Sequence, residues 1–210
     1  MFDIDQQLHA VRREVGSRTL DAGEARMTTL SQSYDATVDE VWDACTNPER
    51  IPRWFLPISG DLRLGGRFQL EGNAGGTIER CDPPNSFSAT WEYADNVSWI
   101  EVRVVPEADG RTRFELAHGA HVDDAHWVEF GPAATGVGWD LGLLGLATHL
   151  ASGADVDHDA AMAWSASDEG RRFIALSSQR WCDADVAAGA DPADAQAAAD
   201  RTTAAYTGGQ

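Results

Sequence analysis

The sequence predicts an α+β fold: a curved, six-stranded antiparallel sheet gripping one long helix that follows the last strand. Three observations predict it. From residue 61 to 118, apolar and polar residues alternate in run after run, with Gly, Pro, Asn and Asp at the joints. Near residue 132 the period becomes helical and stays so to residue 150. Two short helical stretches separate the first strand from the rest, so strands and helices are grouped rather than strictly alternating.

The elements follow in order. Residues 1–22 read as a helix, with Leu8, Val11 and Val15 at helical spacing. Thr28, Leu30, Gln32 and Tyr34 share one side of a strand over 24–35. In "VDEVWDACTNPERIPRWF" the period changes: Val38, Val41, Trp42 and Cys45 form a stripe, and Thr37 with Glu40 makes a capping box. Asn47 and Pro48 restart a second helix, which Pro52 keeps short and which ends on Trp54-Phe55. Five strands follow. "DLRLGGRFQLE" alternates Leu62, Leu64, Phe68 and Leu70 across a Gly65-Gly66 bend, and "GGTIERC" is short. "SFSATWEY" alternates Phe87, Ala89, Trp91 and Tyr93. "VSWIEVRVV" puts Ile100, Val102 and Val104 inward and Trp99 outward; "RTRFELAH" puts Thr112, Phe114, Leu116 and His118 inward. The long helix over 132–150 interleaves Gly136, Gly138, Gly142 and Gly145, each costing about 1 kcal/mol of helix propensity. These glycines suggest incomplete filling, hence space between sheet and helix. After residue 155 come two alanine-rich helices, the second capped by Asp191-Pro192 and ended by Gly208. The resulting division is a helical arm (1–23), a sheet-and-helix domain (24–154) and a helical extension (155–210) that caps the domain or makes a homodimer.

The charge balance excludes some partners. Thirty-four acids oppose sixteen bases, giving a net charge of −18, and every base is arginine. Such an acidic protein repels phosphate backbones and anionic lipid, so neither nucleic acid nor membrane insertion is expected. Cys45, Cys81 and Cys182 are odd in number and widely spaced, which fits free thiols in a reducing cytoplasm. No metal is expected. The loop "HGAHVDDAH" brings His118, His121, Asp123, Asp124 and His126 together without ligand spacing on a regular element. "GNAGG" lacks the Lys-Ser/Thr of a phosphate loop, and no cofactor is expected.

Five stretches carry a resemblance. "YDATVDEVWDACTNPERIPRWF", "LRLGGRF", "CDPPNSFSATWEY", "TRFELAHGAH" and "GVGWDLGLLGLATHL" stand in the order seen in activator-of-heat-shock-ATPase-homologue-like proteins. These belong to the START/birch-allergen-like superfamily, SRPBCC. The resemblance spans about residues 24–152 and implies a helix-grip fold with a hydrophobic pocket between sheet and long helix. It also implies binding of lipids, polyketides or other small apolar molecules, and in some members help with cyclisation or dehydration. Chaperone activators of the family carry an additional N-terminal domain, for which residues 1–23 are too short.

The expected function is therefore binding of a small hydrophobic or aromatic molecule. The alternatives are a cyclase, dehydratase or hydrolase using the same cavity, or a chaperone-accessory or regulatory interaction protein. His118 is the expected polar anchor, because strict alternation places its imidazole among inward apolar residues. Phe68, Phe87, Trp91, Phe114, Leu116, Trp139 and Leu143 are the expected lining, with Trp54 and Phe55 at the mouth. No catalytic acid–base pair can be named; Glu101 points outward and Glu79 is ambiguous.

Overall fold

A computed structural model describes residues 3–20, 23–122 and 125–208. Its strands form an open eight-stranded sheet in the order β1-β2-β8-β7-β6-β5-β4-β3. The strands are β1 (Arg12–Leu20), β2 (Gly23–Tyr34), β3 (Ile58–Gly60), β4 (Arg67–Leu70), β5 (Gly75–Asp82), β6 (Ser86–Tyr93), β7 (Asn96–Pro106) and β8 (Thr112–His121). The pairings from β3 to β8 are all antiparallel. The helices are α1 (Ile4–Ala10), α2 (Val38–Thr46), α3 (Ala125–Phe130), α4 (Ala133–Ser152), α5 (His158–Ser165), α6 (Asp168–Ala187) and α7 (Pro192–Thr207). A 3-10 turn, Ile51–Arg53, follows α2.

The sheet has two strands more than the six expected. The reading of residues 1–22 as one helix is corrected: α1 ends at Ala10, Val11 is extended, and residues 12–20 are strand. The reason lies in Arg13. It occupies an inward position where the pattern calls for an apolar side chain, and it can do so because Asp140 pairs with it. Leu62 and Leu64 are also not strand residues. They lie in the loop between β3 and β4, and Leu64 is 67% exposed. The extension holds three helices instead of two, and Ser167 caps α6.

The chain forms two compact units: residues 1–30, 121–141 and 157–210, and residues 31–120 and 142–156. In the first, a buried polar cluster replaces part of the core. Arg13 donates through Nη2 to Asp140 Oδ1 at 2.8 Å and through Nε to Oδ2 at 3.0 Å. Ser177 Oγ and Trp181 Nε1 donate to the same Oδ2, at 2.6 and 3.1 Å. Arg13 Nη1 also donates to the carbonyls of Leu8 and Val11, fixing the α1–β1 corner. Helix α7 docks by donating to carbonyls: Arg201 to Glu129, Thr202 to Phe130, Tyr206 to Ala134.

In the second unit, the "PERIPRWF" segment is the joint between α2 and the end of α4. Trp54 Nε1 donates to the Ala44 carbonyl at 2.8 Å, and Trp54 stacks on Phe55. Arg50 reaches both helices, donating through Nη1 to Asp43 and through Nη2 to His149 Nε2 at 3.2 Å. His149 Nδ1 must carry the proton, because it donates to the Ala154 carbonyl. The guanidinium of Arg50, then the amide of Asn47, holds the Asp43 carboxyl below its ordinary range.

The glycines of α4 do not mark empty space, and that expectation is corrected. A Cβ on Gly136 would stand 2.3 Å from the Trp181 ring, and one on Gly145 would stand 2.3 Å from the Trp54 carbonyl oxygen. In the sheet, a Cβ on Gly76 would meet the Thr90 carbonyl at 2.0 Å. These positions lack a side chain because a neighbour already occupies the space.

Candidate ligand site on the buried face of the sheet

The register of the second unit lines up the predicted residues in rows across the sheet. Phe87, Val102 and Leu116 are successive partners; so are Ala89, Ile100 and His118; Val104 stands opposite Phe114. Alternation puts these on one face, and Val102, Leu116, Ala89, Ile100, His118, Val104 and Phe114 are buried. The other face carries charge. Glu101 accepts from both Arg80 and Arg103, and Arg67 pairs with Glu92. An open depression of about 590 Å³ lies there, but the two arginines that line it both already donate to Glu101.

His118 is 4% exposed. Its Nε2 lies 2.8 Å from Ser98 Oγ, and the Ser98 hydroxyl donates to the Trp91 carbonyl at 3.0 Å. A hydroxyl has one proton, so here His118 Nε2–H is the donor and Ser98 the acceptor. This direction is opposite to that of a base activating a serine nucleophile, which would need a bare nitrogen facing the hydroxyl. Trp91 meets the His118 ring edge-on at 6.2 Å and the Phe68 ring at 6.3 Å. Phe68, Trp91 and His118 thus form a continuous row of rings closed by Ser98.

The other predicted residues are distributed differently. Phe87 is half-buried and packs edge-on against Trp42 of α2 at 6.2 Å. Trp54 and Phe55 belong to the α2–α4 joint, with Phe55 beside Gly142. Leu143 is buried in the second half of α4. Trp139 is half-buried and belongs to the first unit, whereas the other nine belong to the second. Sequence reasoning passed over Ser98, although it shares the parity of Ile100 and so had to face inward. Among the described residues no cluster of His, Cys, Asp or Glu could hold a metal; Asp123 and Asp124 lie outside the described residues. Among the described residues no helix is long and apolar enough to cross a membrane.

Two groups, Tyr34 and, in α2, Cys45, are held in their neutral forms by desolvation. Burial, then the nearby Cys45, pushes the Tyr34 hydroxyl well above its ordinary value, and the hydroxyl donates to Gln32. Cys45 as a residue is only half-buried, yet desolvation pushes its thiol up to about 12. Burial and the neighbouring Asp183, Asp185 and Asp200 raise the Cys182 thiol, whereas Cys81 is exposed. Since the thiolate is the reacting species, alkylation of the native protein at pH 8 should label Cys81 first, with Cys45 slower by about a hundredfold or more and Cys182 also slower than Cys81. Peptide mapping after timed iodoacetamide treatment checks this; equal labelling of Cys45 and Cys81 would contradict it.

Residues 35–151 match the family described as activator of Hsp90 ATPase homolog 1-like protein, AHSA1. The match takes in more than half of the chain. The chain belongs to this family. Its α+β architecture is the helix-grip type expected of AHSA1-like proteins in the SRPBCC superfamily. The crystal structure of CalU16 from Micromonospora echinospora is 39% identical, covering 83% of this chain and 98% of that one, with a TM-score of 0.67. The solution structure of CalU16 gives 38% identity, 86% and 97% coverage, and a TM-score of 0.73. The likeness to CalU16 therefore extends beyond the AHSA1 segment into the flanking residues. DynU16, a protein in the dynemicin biosynthetic locus, is 21% identical over 63% of this chain and 50% of that one. With a TM-score of 0.55, it shares the fold. A comparison with curated proteins gives no match.

Proposed function

We propose that this AHSA1-like chain binds a small aromatic or otherwise apolar molecule between the buried face of β5–β8 and the second half of α4. The observation that carries the proposal is the row Phe68, Trp91, His118 and Ser98. A hydrogen-bonded polar pair at the end of an otherwise apolar sheet face is the arrangement that orients a ligand in a mainly apolar site. Stacking surface comes from Trp91 and Phe68, and orientation from the imidazole. Because Ser98 accepts from His118, the geometry favours binding over serine-based hydrolysis.

The test uses a neutral aromatic probe, 1-naphthol, with intrinsic tryptophan fluorescence as the readout. Native mass spectrometry of protein isolated from its own host runs beside it. Wild type is expected to bind the probe or to carry a co-purifying small molecule. Trp91→Ala should weaken probe binding about tenfold by loss of ring contact. His118→Ala should weaken binding while leaving some affinity. A wild-type protein that binds no probe and carries no molecule ends the proposal.

A further inference from the structure

We propose that β1 is the interface of a homodimer, in which two copies pair antiparallel about a two-fold axis through Gly16. Strand β1 stands at the end of the sheet order, so among the described residues β2 is its one hydrogen-bonded strand neighbour. It runs nine residues, about 30 Å at the usual strand rise, and Arg12, Glu14, Gly16, Ser17, Arg18 and Thr19 are exposed. It contains no proline and no lysine, two common devices for blunting an edge. The opposite edge is protected in another way, because β3 has only three residues. The long edge therefore presents a row of backbone donors and acceptors that the short one does not.

Among the registers that overlap most of β1, its sequence is complementary to itself in one. Alternation puts Arg12, Glu14, Gly16 and Arg18 on the solvent face, since Arg13 points inward to Asp140. Glu14 already accepts from Arg12 of its own strand, and two-fold pairing about Gly16 sets Arg18 of the other copy opposite the same carboxylate, giving two cross-strand ion pairs in addition. A slip of two residues one way sets Arg12 against Arg18. A slip the other way leaves both ion pairs unmade. The charges thus select the register that a sheet edge by itself leaves loose. At the axis, a Cβ on Gly16 would meet nothing within 4 Å, so the two backbones can approach without a side chain between them. A second copy is thereby favoured as partner over an unrelated extended peptide, which would need to match only one half of this symmetric pattern.

Sedimentation equilibrium over a concentration series tests the proposal. Wild type is expected to dimerise. Glu14→Arg and Arg18→Glu should each weaken the dimer by about tenfold or more, because each places like charges opposite at two symmetric sites. The double variant E14R/R18E re-forms both pairs with reversed sense and should restore the wild-type constant. Both residues are exposed, so far-UV circular dichroism of the variants should match wild type. Independently, Gly16→Cys in a Cys81→Ser background should cross-link to itself on mild oxidation. Directly opposite Cα atoms in an antiparallel pair stand about 4.5–5.5 Å apart, within disulfide reach. A protein that stays monomeric throughout overturns the proposal. So does a dimer indifferent to the single reversals, or one in which the double variant is as weak as the two losses combined.

Discussion

Asp140→Ala is expected to lower the stability of the folded chain by about 3–5 kcal/mol, the usual cost of removing one partner from a buried ion pair. The side chains of Arg13 and Asp140 are 4% and 0% exposed, so the guanidinium left behind could not be rescued by water. The loss goes beyond one pair. Ser177 and Trp181 donate to the same carboxylate oxygen, and both would become buried donors without an acceptor. Urea denaturation is the measurement. Asp140→Asn, which keeps the shape and an acceptor oxygen but not the charge, should fall between wild type and alanine. Replacing both members, Arg13→Met with Asp140→Leu, should recover part of the loss, because no unpaired charge then remains. An Asp140→Ala protein within about 1 kcal/mol of wild type would show that the cluster is not a fixed part of the fold.

Alanine scanning of the α4 glycines should give effects of opposite sign within one helix. By propensity alone, each Gly→Ala change should stabilise by about 1 kcal/mol. At Gly142 the added methyl meets Phe55 at 3.4 Å, an ordinary contact, and a gain is expected. At Gly145 it meets the Trp54 carbonyl oxygen, and at Gly136 the buried Trp181 ring, both at 2.3 Å. Neither neighbour is the free end of a flexible side chain. Net destabilisation of about 1–3 kcal/mol is therefore expected at both, the range for forcing extra volume into a packed interior. Thermal melts of the three variants decide it. A gain at all three positions would mean that α4 sits farther from its neighbours than these distances state.

The distribution of legible and illegible features follows from what each depends on. The strands β5 to β8, helix α4 and the α2 capping box could be read directly, since each is set by spacing within one short segment: Thr37 with Glu40, Ile100 with Val102 and Val104, Phe114 with Leu116 and His118. The turn chemistry of Asp191, Pro192 and Gly208 was equally local. Strand β1 was hidden because Arg13 disguises an inward position, and what makes that position tolerable is Asp140, 127 residues away. Ser98 was available in the alternation, but its hydrogen bond to His118 depends on how β7 and β8 pair.

The amino-acid sequence alone determined the class of this protein: its period-two runs and one long helix commit it to an α+β sheet-and-helix fold, and five stretches in order mark its family. Only the tertiary structure decided what the glycines of α4 are for, which polar residues share the buried interior, and which end of the sheet carries the longer strand. The physical reason is range. Periodicity and capping act over a few residues, whereas whether a glycine faces a void or a tryptophan depends on a neighbour that lies tens of residues away in the chain.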